Sequence, residues 1–143
     1  MTARIIAAVV AVVTVFGALL ADFVIPGGAA QHLDNAAWPP HAKFHDAQYI
    51  VMSMLLGALA LVLLRAPGSG RLWTACALLA IPWLGLLGAF LFPGTAIQDP
   101  GFDNPTALGL HPQVLLSVIA LIALAAAALL TVRAERRTRL SRP

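Results

Sequence analysis

The sequence predicts an all-α integral membrane protein, a four-helix bundle forming a single domain over residues 1–143 with both termini cytoplasmic. Three observations predict it. Of 143 residues, 60% are hydrophobic and only 10% charged, with a mean hydropathy of +0.88. An ordinary soluble domain carries about 25% charged residues, so too few polar groups remain here to cover a water-facing surface. The apolar residues fall into four runs, each long enough to cross a hydrocarbon core of about 30 Å, which takes roughly 20 helical residues. Finally, the basic residues gather at one end of those runs, as the preference of Arg and Lys for cytoplasmic helix ends requires.

Composition also excludes several classes. The 11 glycines and 10 prolines are scattered rather than periodic, and the apolar content is far too high for a disordered chain. The single cysteine, Cys76, cannot form an intrachain disulfide or a Cys-x-x-Cys motif. A sequence pI near 10.0 could suggest a nucleic-acid partner, but the basic residues are placed by membrane topology, and none is expected.

The first helix is predicted over residues 5–25, from the run Ile5–Ile25, with Arg4 before it. The same pattern resembles a secretory signal cleaved after Leu19-Leu20-Ala21; an uncut helix is the simpler account. The second is predicted over 40–64, because proline is tolerated in a first helical turn and Pro40 can open the helix above the run Phe44–Leu64. A tight link, Arg65–Arg71, holds Pro67, Gly68 and Gly70 as turn formers. The third helix is predicted over 72–92, kinked at Pro82, with Gly85 and Gly88 allowing a neighbouring backbone to approach. The fourth is predicted over 112–133, with small residues at Ala125–Ala128, followed by Arg133, Arg136, Arg137, Arg139 and Arg142. Runs without alternating polar residues are not barrel strands, so all four are helices. The expected location is the cell membrane, multi-pass, with lipid as a partner. A homo-oligomer is expected, because four helices enclose little volume and the small-residue faces need partners.

Chemistry is expected at the outer ends. The connections Pro26–Lys43 and Pro93–His111 exceed the roughly 12 to 15 residues beyond which a structureless loop usually has a job. They and the adjoining helix ends carry all four histidines and every aspartate. Helical spacing puts His41, His45, Tyr49 and Met52 on one stripe. His41 and His45 are the candidate cofactor ligands: imidazoles at i and i+4 can converge on a divalent metal, with His111 completing the set, or one can serve a haem iron. Asp22, an acid at the outer end of an apolar helix, is a functional candidate by position. With Asp46 and Tyr49 it forms the candidate acid and base set acting on a small lipophilic ligand, with Lys43 as salt partner. The second outer connection, rich in turn residues, is expected to fold as a lid over the histidine end of the second helix. Two other readings stay open: a proton-coupled transporter working through Asp22, and a structural or interaction protein. In the latter the histidines bond loop carbonyls, and Trp38 and Tyr49 form an aromatic belt.

The string Asn35-Ala-Ala-Trp38-Pro-Pro-His41-Ala-Lys43-Phe-His45, followed by Asp46 and Gln48, resembles the signature of an uncharacterised family of small four-helix membrane proteins. That likeness extends to the acid ending the first helix, to a histidine before Asn35, here His32, and to the turn Leu91-Phe92-Pro93-Gly94-Thr95. It implies a fold and a shared outer site, and no reaction. A weaker likeness is to the styrene oxide isomerases, in which a histidine near the start of helix two binds haem in a trimer and ferric iron acts as a Lewis acid on an epoxide. Trp38 and then His41 or His45 would match that opening, which implies an isomerase-type enzyme. The sequence departs from it where Met52 or Ser53 stands in place of the expected asparagine.

Overall fold

A computed structural model describes residues 1–141; Arg142, one of the arginines expected at the cytoplasmic end, lies outside the described residues. The chain begins with helix α1, Thr2–Leu19, which continues through a π-turn, Leu20–Val24. A short helix α2, Pro26–Gln31, follows, then α3, Pro40–Arg65, and α4, Ser69–Gly88, extended by a 3₁₀ turn, Ala89–Leu91. The last helix is α5, Pro112–Leu140. The fold is all-helical; among the described residues the only β feature is an isolated bridge between Ala107 and Leu110. The segments Thr2–Val24, Pro40–Arg65, Ser69–Leu91 and Pro112–Leu140 are long and apolar enough to cross a membrane. This is a multi-pass membrane protein.

The four spans close into a ring in which α1 and α4 each pack against both α3 and α5. Lipid tails are as apolar as leucine, so helices in a bilayer associate through close packing, and small residues favour it. The core follows that rule: Ala7, Ala11, Ala60, Ala75 and Ala127 are fully buried between helices, while Phe16, Leu55, Leu84, Ile122 and Leu129 face outward to lipid. The closest approach is at Gly57 of α3, where an added Cβ would stand 2.6 Å from Val15 Cγ2 and 2.9 Å from the Ala11 carbonyl oxygen. Gly85 and Gly88, expected to serve that purpose, face open space within the chain. Two helices are also tied at mid-bundle by polar groups: Trp83 Nε1 donates to Thr14 Oγ1 at 3.1 Å, and Thr14 in turn donates to the Val10 carbonyl at 2.8 Å.

At the end that carries both termini, the Arg4 guanidinium donates to the carbonyls of Leu64 and Ala66, tying α1 to the end of α3 and the short link. Helix α5 runs on through its arginines, good helix formers, well past its expected end at residue 133. The opposite end holds α2 and both long connections.

Candidate functional site

The site begins where α1 widens. Ile25 N–H donates to the Leu20 carbonyl at 2.8 Å, one residue further back than in an α-helix, and π-turns of this kind are frequent at functional sites. Pro26 has no N–H to offer, so the Ala21 carbonyl is left turned towards the following turn. Gly28 packs directly on it, with an ideal Cβ position only 1.5 Å from the oxygen. Only glycine permits that approach, and it folds α2 back over the end of α1. Asp22, within the π-turn, is 2% exposed.

The same fold-back delivers His32, which closes α2. Its Nδ1 lies 2.8 Å from the Gly28 carbonyl; a carbonyl only accepts, so the neutral ring carries its proton on Nδ1 and keeps a lone pair on Nε2. Nδ1 is also 3.6 Å from Asp22 Oδ1, and the ring meets Trp38 edge-on at 5.4 Å. Helix α3 supplies Asp46. Asp22, His32 and Asp46 each offer a ligand atom, and the three atoms lie within 4.8 Å of one another. From α5, Gln113 Nε2 donates to Asp22 Oδ1 at 3.1 Å.

These groups form one end of a cavity of about 390 Å³ between α3 and α4, whose other walls include Met52, Leu56, Ile81, Pro82 and Leu86. Tyr49 and Ser53 also line it. Two buried oxygens there, Asp46 Oδ2 and Ser53 Oγ, meet no partner in hydrogen-bonding geometry. Buried polar atoms are nearly always satisfied, so Asp46 Oδ2 is open to a group entering the cavity. Two carboxylates facing one imidazole also concentrate negative charge where water is scarce. Such a cluster is stable only when a cation or protons neutralise it.

The second outer connection folds over α2 and Trp38, not over the His41–His45 turn. Trp38 Nε1 donates to Asp99 Oδ2 at 2.8 Å, and Gln31 and Asn104 exchange reciprocal amide hydrogen bonds of 2.7 and 2.9 Å. His111 caps α5. Its Nδ1 accepts from the Gln113 N–H at 3.3 Å, and its Nε2 lies 3.2 Å from the Asn104 side-chain amide. Burial, and then the charge of His32, holds its pKa below the ordinary 6.5.

The candidates named from sequence therefore divide. Asp22, Asp46 and Tyr49 meet in the cavity, with Met52 beside them. His41 and His45 are exposed on the first turns of α3 and do not line it; their Nε2 atoms lie 3.0 Å apart. His111 does not line it either; it caps α5 through Nδ1 at the base of the second connection. The residue left out of the candidate ligand set is His32. It counted among the four outer-side histidines and as the histidine before Asn35 in the family resemblance, but it sits on a segment too short for periodicity to place it beside Asp22.

A family profile matches residues 5–141, nearly the whole described chain. The chain belongs to the family of unknown function DUF6640. No curated protein and no solved structure matches it. For this DUF6640 protein the chemistry of the site has to be read from the residues themselves.

Proposed function

We propose that this DUF6640 protein binds a divalent cation at Asp22, His32 and Asp46, at the outer face of the membrane, and holds a small lipophilic ligand in the adjoining cavity. The observation that carries the reading is the convergence of one imidazole and two carboxylates, one of them with an unpartnered buried oxygen, at the end of a mainly apolar chamber. A nitrogen and oxygen donor set suits Mn²⁺, Fe²⁺ or Zn²⁺ rather than a soft thiophilic ion. Such an ion would act as a Lewis acid and lower the pKa of bound water. Tyr49, beside it, is placed to hold a proton at its hydroxyl near a ligand head, as an isomerase-type enzyme would need. The outer-face orientation rests on Arg4, Arg65, Arg71 and Arg133, all at the other end of the spans.

A second reading concerns His41 and His45. His45 Nδ1 lies 3.2 Å from Gln48 Oε1, which places the ring proton there and leaves its Nε2 lone pair facing His41. A metal ion, or a haem iron through one of the two, could take the place of the proton they share.

Elemental analysis and absorption spectra of the purified protein, prepared without chelator, test both. Stoichiometric metal that disappears in Asp22→Asn, His32→Ala and Asp46→Asn supports the buried site. A Soret band or metal lost in His41→Ala supports the exposed pair. Wild-type protein that takes up no metal when supplied with Mn²⁺, Fe²⁺ or Zn²⁺ sinks the proposal.

A further inference from the structure

The buried cluster is the meeting point of two cavities. The chamber between α3 and α4 is one. The other, of about 200 Å³, lies under the second outer connection, walled by Gly28 and Gln31 on α2 and by Asn104, Pro105 and His111. Asp22, His32 and Gln113 line both. The two differ in what they open towards. The outer one lies at the loop end of the bundle, where the amides of Gln31 and Asn104 and the His111 imidazole stand among apolar residues such as Ile25, Ile97 and Pro112. The inner one lies along the membrane-facing seam of α3 and α4, where Met52 and Ile81 are both half-exposed. At Gly85 its rim has no side chain, with open space where a Cβ would stand.

We infer that the cluster is served from two phases: the cation and water arrive through the outer vestibule, and the ligand arrives sideways from the bilayer past Gly85. The ligand class follows. It is a membrane-dissolved molecule with an apolar body and an oxygen-bearing head, because the chamber wall is aliphatic except near the cluster and at Ser53, whose buried hydroxyl is without a partner in hydrogen-bonding geometry. This rests on the cation reading and adds the routes and the ligand type to it.

The test uses the full chain in lipid nanodiscs loaded with Co²⁺, whose visible absorption reports its ligands. Dodecyl hydroxamate dissolved in the bilayer probes the lipid route, and EDTA in the buffer probes the aqueous one. In a Cys76→Ser background, Pro105→Cys is modified after folding with a bulky maleimide, so that the same folded protein is compared with and without the block. The expected result is that modification slows Co²⁺ removal by EDTA several-fold while the response to dodecyl hydroxamate persists. Gly85→Phe, whose added Cβ meets open space, should abolish the hydroxamate response and leave EDTA removal unchanged. The inference is overturned if modification at Pro105→Cys leaves EDTA removal unaltered, or if Gly85→Phe leaves the hydroxamate response intact or slows EDTA removal equally. Wild-type protein that binds no Co²⁺ overturns the cation reading itself, and this inference with it; binding with inseparable routes overturns the inference alone.

Discussion

Gly28 rests on the carbonyl of Ala21 so closely that a methyl group in its place would overlap the oxygen. This contact fixes α2 against the π-turn, and the Gly28 carbonyl in turn holds His32 Nδ1 at 2.8 Å. Gly28→Ala should therefore destabilise the protein by about 2 kcal/mol or more, since neither partner of the clash is a flexible side chain. Thermal unfolding in detergent checks the cost. Gly27→Ala, where a Cβ meets nothing, is the control and should be nearly neutral.

Cation binding and stability should separate at Asp46. Its Oδ2 is buried without a partner, so Asp46→Asn should raise the stability of the cation-free protein by roughly 1 kcal/mol while abolishing cation binding. In the wild type, a cation at about 100 times its Kd should add roughly 2.7 kcal/mol. Melting curves with and without Mn²⁺ or Zn²⁺ measure both. An Asp46→Asn variant that melts earlier than cation-free wild type would refute the idea that this oxygen waits for a ligand.

His111 should give the protein part of its pH dependence. Its folded pKa lies below the ordinary value of 6.5, so the unfolded chain takes up the proton more readily. The neutral cap's contribution is then complete above about pH 6.5 and is lost as pH falls through and below that value. His111→Asn keeps a capping side chain and removes the titration. Melting temperatures measured from about pH 7.5 down to pH 5 should fall less steeply in His111→Asn than in wild type.

The reciprocal amide pair of Gln31 and Asn104 holds the second outer connection onto α2. Gln31 is 8% exposed, and its Nε2 keeps a 3.3 Å hydrogen bond to the Gly27 carbonyl, but Asn104→Ala strands its Oε1 and should cost about 1 to 3 kcal/mol. Limited proteolysis from the outer side should then cut within residues 93–110 faster than in wild type, with the four spans intact. Unchanged cleavage would show that the connection is held by something other than this pair.

Much of this was legible in the amino acids, and the rest was hidden for identifiable reasons. Hydropathy alone locates a span, so the four long helices could be read directly. Asp22 and Asp46 stood out because a charge near an apolar helix is costly wherever it lies. Periodicity also grouped His41, His45, Tyr49 and Met52 on one stripe, but it cannot say where cover from neighbouring helices stops. Tyr49 and Met52 reach the cavity, and the histidines one and two turns earlier are exposed. The place of His32 in the cluster was hidden because it depends on a six-residue helix, on a π-turn and on a backbone contact at Gly28, none of which leaves a repeating pattern. Gly57 and Gly85 show the same limit: both are glycines in apolar runs, and only the packing decides that the first touches a helix and the second faces open space.

The hydrogen bond between Gln113 and Asp22 joins positions 91 residues apart, and the one between Asn104 and Gln31 spans 73. In a chain leaving the ribosome, α1, α2, α3 and α4 all emerge ahead of Asn104 and Gln113. Until then Asp22 and Asp46 face each other without the donor from α5 and without the connection that roofs them. The cluster is therefore completed only once the start of α5 has joined the other three spans, and a chain stopped before α5 would have three membrane-crossing helices and no closed site.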